Sequence, residues 1–464
     1  MNKNTLLLLA SCFICLRSSA QSNQKIAPVQ QVKLTSDTIY WEIPELNLGR
    51  MMRFSKLDSV GVFNNDVEKG QSFTFKMSTA GWTQEFKSSN TQKLVYPLAI
   101  SKDGASKKLT LIFWPDLSSA IFDDTYRKAN NTRISIEIPE VYELCYTAFS
   151  IAAMNRAPGS LQLANNTDYY KELVGRFAAQ KDHPLITAVQ TAISENGNAA
   201  FYSLCMDSYS YSFNNQSKLQ KSATYTALGS RVKLADNLAM WEDFAAVSGF
   251  REFYQSKKNA YQQVADETKK NLSFETGWSW LEKNFSHRVN DYKVVLSPLA
   301  GSFYRTNDLL HNGYTEMIFF GNAFDKSSYK NISENAAHLL YQSGYFIAAC
   351  KNYLIKANTS FKKDAQDKFG DFDVWADAGK EAFNFPGGYE LFMEYLSQSC
   401  FLLYVKEAFK DEYSTIKFFR DRFMKQRGFK NFDQFLSTLE SVYDKSPTRK
   451  IEDCIQGLFA GLKP

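Results

Sequence analysis

The hydrophobic period of this sequence changes near Pro139, and that change constrains the fold more than any other feature. Before Pro139, short runs of β-branched and aromatic residues alternate with turn residues, as in strands. After it, from 141–151 onward, apolar residues recur at spacings of three and four, which is the period of an amphipathic helix. Strands grouped ahead of helices predict an α+β protein, with a β-rich module at 21–137 and a mainly α-helical domain at 138–464.

Six strand-like runs lie in the first part and predict a small antiparallel sheet or sandwich. They are Thr38–Ile43, Ser59–Phe63, Ser72–Met77, Lys93–Ile100, Lys108–Trp114 and Arg133–Ile138.

One pair of strands interrupts the helical part, at Asp291–Leu299 and Tyr314–Asn322. A long helix is predicted next, at Ile332–Ile355, and a second apolar helix at Tyr389–Phe409, after a charged loop through 362–388. We expect the two strands to share one sheet, with the Ile332–Ile355 helix packed beneath it. Further helices are predicted at Asp168–Gln180, His183–Ser194, Ala199–Tyr211, Asp236–Val247, Phe250–Asn271 and Trp278–Asn284.

The charge balance argues against a nucleic-acid partner. The chain has 54 Lys and Arg against 49 Asp and Glu, and no segment concentrates the small basic excess. Beyond the N-terminal segment, no window approaches 18 uncharged apolar residues, so no transmembrane span is expected.

The first 20 residues have the order of a signal peptide. Lys3 supplies the positive region, Leu6–Leu16 the apolar region, and 18–20 a small-residue cleavage site before Gln21. This order predicts export to the periplasm or the extracellular space. An alternative is a lipoprotein signal, which would anchor the chain through a lipid on Cys12.

Five cysteines remain after the signal segment, widely spaced and without a CxxC pair. Most lie in apolar helical runs, so they are predicted to be buried thiols. They are Cys145, Cys205, Cys350, Cys400 and Cys454.

A candidate metal site lies at the start of the Ile332–Ile355 helix. The predicted order of two strands, a helix and a later second helix is that of zincin metallohydrolases. In those enzymes a His-Glu-x-x-His motif on the first helix binds Zn²⁺. Here Glu334 and His338 occupy the two ligand positions four residues apart, but Asn335 replaces the general-base Glu. Glu394 on the later helix is the candidate third ligand. An alternative role for Glu334 is a capping box with Asn331 as the N-cap.

Three segments carry a resemblance to a family of secreted bacterial proteins known as domain of unknown function 4932. They are Tyr292–Leu299, the helical segment Phe392-Met393-Glu394-Tyr395 with Leu402-Leu403-Tyr404, and Arg427-Gly428-Phe429. The resemblance spans about 140–461.

This resemblance implies a zincin-like fold. In the family that this chain resembles, a Glu-x-x-His motif is expected on the helix after the edge strand. A Glu-Tyr dipeptide is expected on the later helix. By position Glu394 matches the dipeptide and His338 the histidine, whereas Glu334 stands one residue too early.

The expected function is therefore noncatalytic binding of a peptide or glycan in a degenerate metallopeptidase-like cleft, without a cofactor. The alternative is a divergent zinc-dependent metallohydrolase that uses His338 and Glu394. The chain has no GxSxG, P-loop or GxGxxG motif that would indicate another enzyme class.

Overall fold

The computed structural model describes residues 24–43, 48–57, 60–68, 72–89, 93–116, 120–130, 134–154, 163–226, 228, 232–302, 305–311, 313–357 and 361–462. The chain divides into two compact units, one ending at Asp116 and the other beginning at Leu117. The predicted signal peptide and Cys12 lie outside the described residues.

The first unit is built of strands. They are β1 (Gln24–Ile26), β2 (Gln30–Lys33), β3 (Thr38–Ile43), β4 (Leu48–Arg53), β5 (Val60–Glu68), β6 (Ser72–Thr79), β7 (Trp82–Ser89), β8 (Lys93–Lys102) and β9 (Ala105–Asp116).

These strands form two sheets with one shared core. One sheet has the order β1-β8-β9-β5, with β2 also paired to β8, and the other has the order β4-β3-β6-β7. Phe75 of β6 packs edge-on against Phe113 of β9, with ring centroids 5.0 Å apart, and stacks on Trp41 of β3. Because these buried aromatic rings come from both sheets, the first unit is a β-sandwich.

The second unit is mostly helical, and its described residues contain six further strands. The strands are β10 (Ile134–Glu137), β11 (Tyr211–Phe213), β12 (Leu219–Lys221), β13 (Asp291–Ser297), β14 (Arg305–His311) and β15 (Tyr314–Asn322). The helices before β13 are α1 (Asp124–Ala129), α2 (Glu140–Ala152), α3 (Asp168–Phe177), α4 (Pro184–Asn196), α5 (Asn198–Ser208), α6 (Leu238–Ser248), α7 (Phe250–Asn271) and α8 (Phe274–Asn284). Those after β15 are α9 (Glu334–Ala357), α10 (Lys362–Phe369), α11 (Phe372–Trp375), α12 (Gly388–Ala408), α13 (Tyr413–Gln426), α14 (Phe432–Lys445) and α15 (Ile451–Gly461).

The main sheet of the second unit has the order β10-β13-β15-β14. β10, β13 and β15 run parallel, and β14 is an antiparallel edge strand. Both β13 and β15 are almost completely buried, which is expected of parallel strands covered by helices on both faces.

Helices cover both faces of this sheet. On one face, Tyr353 of α9 forms a hydrogen bond with Tyr292 of β13, and Tyr345 of α9 contacts Phe319 of β15. On the other face, Tyr142 of α2 packs against Phe320 of β15. Residues 319 and 320 point to opposite faces because side chains alternate along a strand.

Helices α9 and α12 lie side by side and antiparallel. Phe346 near the middle of α9 stacks on Tyr404 in the second half of α12, with ring centroids 4.8 Å apart. Lys351, further along α9, contacts Glu394, which is earlier in α12. This pairing fixes which residues of the two helices can meet.

The α+β class and the order of a β-rich region before a helical region are confirmed. The predicted strands at 291–299 and 314–322 share one sheet, and the helix after them packs on it. One boundary differs from the prediction, since β10 pairs with β13 and so belongs to the second unit rather than to the β-rich module.

Several elements were not predicted. The edge strand β14 and the hairpin of β11 and β12 were missed, and helices α10 and α11 lie in what the sequence indicated was a charged loop. None of the described helices is long and apolar enough to span a membrane.

Candidate functional site

Glu334 and His338 meet on the first turns of α9, as their spacing predicts. The His338 Nε2 atom lies 3.9 Å from Glu334 Oε1, which is too long for a hydrogen bond. Glu334 is exposed and also lies 3.8 Å from Lys326. Burial lowers the pKa of His338, so its imidazole is neutral at neutral pH.

The N-cap of α9 is Ser333 rather than the predicted Asn331. The backbone N–H of Ala336 donates to Ser333 Oγ at 3.0 Å, and the same hydroxyl donates to Glu412. Asn331 adopts a left-handed conformation, with φ of 64°, before the helix begins. Glu334 is therefore not required as a cap, and the capping-box prediction was wrong.

Glu394, the predicted third ligand, is held by two cations. Its side chain accepts hydrogen bonds from Lys351 and, at 2.6 Å, from Arg427. Gln398 also donates to Oε1 at 2.9 Å. Burial disfavours the charged form, but Lys351 and Arg427 outweigh it and lower the pKa of Glu394 to about 2.

The structure places Glu394 far from His338. Lys351, which binds Glu394, follows His338 by 13 residues in one continuous helix. At about 1.5 Å per residue, this is an axial separation of roughly 20 Å. A zinc ion with ligand distances of about 2 Å does not bridge such a gap.

The donor set at Glu334 and His338 therefore has two members. Among the described residues, no group of three or more His, Cys, Asp or Glu side chains is placed to hold a metal ion. The structure brings Glu334 and His338 together and keeps Glu394 apart from them.

His338 instead belongs to a row of aromatic side chains. Its ring contacts Phe324 edge-on at 4.9 Å, and Phe324 stacks on Tyr329 at 5.9 Å. Tyr329 is close enough to Arg420 of α13 for the guanidinium to oppose the rise that burial causes in the pKa of Tyr329. We call these four residues, together with Phe423 of α13, the Arg420 surface.

Arg420 makes hydrogen bonds only to neutral partners in the part of the chain that is described. It donates to Ser343 Oγ of α9 at 2.5 Å and, more weakly, to Gln398 Oε1 of α12 at 3.4 Å. Its Nε is buried and has no hydrogen-bond partner among the residues that the structure describes. Its guanidinium lies over the rings of Phe401 and Phe423, 5.5 and 5.2 Å from their centroids.

The charge of Arg420 is consequently uncompensated by direct contact. Burial lowers its pKa to about 10, so it stays protonated at neutral pH. The neighbouring cations Lys351 and Arg427 are paired with Glu394, and Arg427 also binds Glu381 at 2.7 Å. Three cations share two carboxylates, which leaves one positive charge in excess at Arg420.

The Arg420 surface is partly open to solvent. Phe423 is 40% exposed, and Arg420, Tyr329, Phe324 and His338 are half-buried. A cation flanked by partly exposed aromatic rings is suited to hold an anionic group attached to an apolar body.

A second polar cluster lies on the sheet face that α2 covers. Asp291 of β13 and Glu316 of β15 are opposite one another and almost fully buried, with 1% and 0% exposure. Burial and the charge of Glu316 raise the pKa of Asp291 to about 7. Lys293 Nζ lies 3.6 Å from Glu316.

Two tyrosines bind the Glu316 carboxylate. Tyr126 donates to Oε2 at 2.5 Å and Tyr225 donates to Oε1 at 2.6 Å. Their hydroxyls are 2.7 Å apart, and Lys293 Nζ lies over both rings. The charges of Lys293 and Glu316 compensate each other inside the cluster, so it joins the two central strands β13 and β15 and does not offer an open binding site.

Sequence reasoning missed both clusters. Asp291, Lys293 and Glu316 gave a signal, since charged residues inside apolar strand runs must find buried partners. Arg420 gave none, because nothing in the local sequence separates it from an exposed basic residue of the same helix such as Arg422.

Comparisons with known proteins give no relative. No family model, no curated protein and no solved structure matches this chain.

Proposed function

We propose that this protein is an exported binding protein that holds a peptide without cleaving it, and that Arg420 pairs with a carboxylate of that peptide. The observation that carries the proposal is the half-buried Arg420 guanidinium, which has only neutral hydrogen-bond partners among the described residues. Export rests on the predicted signal peptide at 1–20.

A carboxylate is the ligand group that fits Arg420, because the guanidinium has no anionic hydrogen-bond partner among the described residues. Buried charges are normally paired, and a guanidinium recognises a carboxylate through two parallel hydrogen bonds. Its buried Nε also has no hydrogen-bond partner among the described residues, so the guanidinium as a whole is incompletely satisfied. An anion at this position would compensate the one excess charge of the cluster.

The aromatic residues favour a peptide as the body of the ligand. Tyr329, Phe324 and Phe423 present partly exposed rings beside the cation. Aromatic residues and Arg are enriched where proteins bind other polypeptides, because they combine apolar area with directional contacts. A glycan that carries a carboxylate is the other ligand class, and it is an outcome of the test below.

The arrangement favours binding over hydrolysis. Asn335 stands where a zincin has its general base, and a carboxamide is a poor proton acceptor. Use of Glu394 in a metallohydrolase would require it to leave Lys351 and Arg427 and to approach His338 along α9. No contact of the described residues favours that rearrangement.

A binding assay tests the proposal. Randomised short peptides that lack Asp and Glu and have a free C-terminal carboxylate, the same peptides with an amidated C-terminus, and oligogalacturonides are titrated against the purified protein. We expect binding of the free-carboxylate peptides and a loss of about 10–100-fold for Arg420→Gln, since a charge-assisted hydrogen bond contributes about 1.5–3 kcal/mol.

The matched control is Arg422→Gln, because Arg422 lies on the same helix and is exposed. It should leave the affinity unchanged. Equal binding of amidated and free peptides, or equal losses for the two variants, would contradict the proposal. Binding of oligogalacturonides alone would assign the site to a glycan.

A further inference from the structure

Cys145 and Cys205 form a contacting pair of thiols in the second unit. Cys145 lies on α2 and Cys205 on α5, 60 positions apart in sequence. Their sulfur atoms are 3.9 Å apart, and both side chains are completely buried. An S–S bond is about 2.05 Å long, so the two sulfur atoms must approach each other by roughly 1.9 Å to form one.

The surrounding packing holds the two helices in this position. Phe201 of α5 packs edge-on against Phe149 of α2, with centroids 4.6 Å apart, and against Tyr146 at 5.3 Å. These contacts lie one turn from each cysteine. The sulfur contact is therefore a fixed feature of the helix pair.

We propose that Cys145 and Cys205 are a disulfide-forming site, and that the bond forms when the chain folds in the presence of a small-molecule or protein disulfide. One cysteine thiolate attacks the external disulfide and displaces one thiol from it. The second cysteine then displaces the other thiol, so the protein loses two hydrogen atoms and the oxidant gains them as two thiols.

The bond is expected to form during folding and not afterwards. Burial and the neighbouring Cys145 raise the pKa of Cys205 well above its usual value, so the folded protein holds almost no thiolate at this position. The side chains are also inaccessible to an oxidant once α2 and α5 have packed.

The other three described cysteines, Cys350, Cys400 and Cys454, do not form one isolated pair. Cys350 and Cys454 both lie near Cys400, so three thiols share one neighbourhood and several pairings are open to them. Cys145 and Cys205, by contrast, contact each other and no other cysteine of the described chain.

The test compares two refolding conditions. Denatured, reduced protein is refolded with oxidised glutathione or with a reducing agent, and free thiols are then blocked by N-ethylmaleimide under denaturing conditions. Peptide mapping by mass spectrometry should find Cys145 linked to Cys205 only in the oxidised sample. Alkylation of both cysteines after oxidative refolding, or a link from either one to a different cysteine, would overturn the proposal.

A thermal measurement provides a second readout. Reduction should lower the midpoint of the oxidised protein by roughly 5 °C, because the bond closes a loop of about 60 residues in the unfolded chain. The double variant Cys145→Ala, Cys205→Ala should show the same midpoint after both refolding conditions. An equal response of the wild type and the double variant to reduction would assign the stabilisation to other cysteines and contradict the proposal.

Discussion

Asp291 and Glu316 face each other across two parallel strands in direct register, inside the protein. Both carboxyls are almost inaccessible to solvent, and the Oδ1 atom of Asp291 has no hydrogen-bond partner among the described residues. Two carboxylates this close cannot both be ionised without strong repulsion, and Glu316 is the one that receives hydrogen bonds from Tyr126 and Tyr225. Asp291 is therefore the member that keeps its proton.

Stability should fall as the pH rises through neutrality because of Asp291. Its pKa is about 7 in the folded protein and about 3.9 in an unfolded chain. Between these values the folded state holds a proton that the unfolded state releases, so the free energy of unfolding decreases as pH increases. Urea unfolding should show a loss of roughly 2–3 kcal/mol from Asp291 between about pH 5 and pH 8.

Asp291→Asn removes this titration and should reduce the slope of stability against pH. Glu143 supplies a parallel contribution, since burial raises its pKa to about 7 as well. Glu143→Gln should thus reduce the slope by a similar amount, and the two reductions should add in the double variant. An unchanged slope in Asp291→Asn would show that Asp291 does not carry the proton.

The parts of the fold that could be predicted are those with a strong pattern. Strand β15 matches its predicted bounds and α9 is displaced by two residues, because both have a clear hydrophobic period. Strand β14 was missed since its sequence, Arg305–His311, is polar at most positions, as an edge strand can be.

The candidate site was predictable only in part. The pairing of Glu334 with His338 follows from spacing along one helix, which the sequence contains. The contact of Ser343 with Arg420 joins residues 77 positions apart and depends on how α9 and α13 pack. No local pattern determines that contact, so the position of the Arg420 surface had to come from the structure.

Loss of the Glu394 carboxylate should destabilise the second unit. Glu394→Ala leaves Lys351 and Arg427 without their shared partner, and Arg427 is largely buried. Removal of one partner of a buried pair costs about 3–5 kcal/mol, and the partial exposure of Lys351 reduces this to about 2–3 kcal/mol.

Urea unfolding with and without a chelator measures this effect. We expect the same loss in both conditions, because the partners of Glu394 are cationic side chains. Glu381→Ala is the control, since Glu381 is exposed and binds only Arg427 among these cations; it should cost less than 1 kcal/mol, as about 0–1 kcal/mol is usual for an exposed ion pair. A loss seen in Glu394→Ala only when chelator is absent would point to a metal ligand instead.

Peptide hydrolysis should be absent in the presence of zinc. Asn335 cannot act as the base, and Lys351, which holds Glu394, lies about 20 Å along α9 from His338. Wild-type protein incubated with a broad peptide library and added Zn²⁺ should show no turnover above the double variant Glu334→Ala, His338→Ala. Chelator-sensitive cleavage that disappears in the double variant would establish the divergent metallohydrolase.

Replacement of Gly388 should disrupt the contact between α10 and α12. Gly388 is the first residue of α12, and a Cβ atom there would lie 2.6 Å from the backbone of Phe369 and of Gly370. These are backbone atoms that cannot move aside, so Gly388→Ala should destabilise the protein by about 1–3 kcal/mol, as is typical of overpacking.

Gly175→Ala is the matched control, because Gly175 also lies in a helix and nothing lies within 4 Å of its added Cβ. That variant should gain about 0.5–1 kcal/mol from the higher helix propensity of Ala. Urea unfolding of the two variants should therefore shift in opposite directions, and a shift in the same direction would show that the backbone near Gly388 can give way.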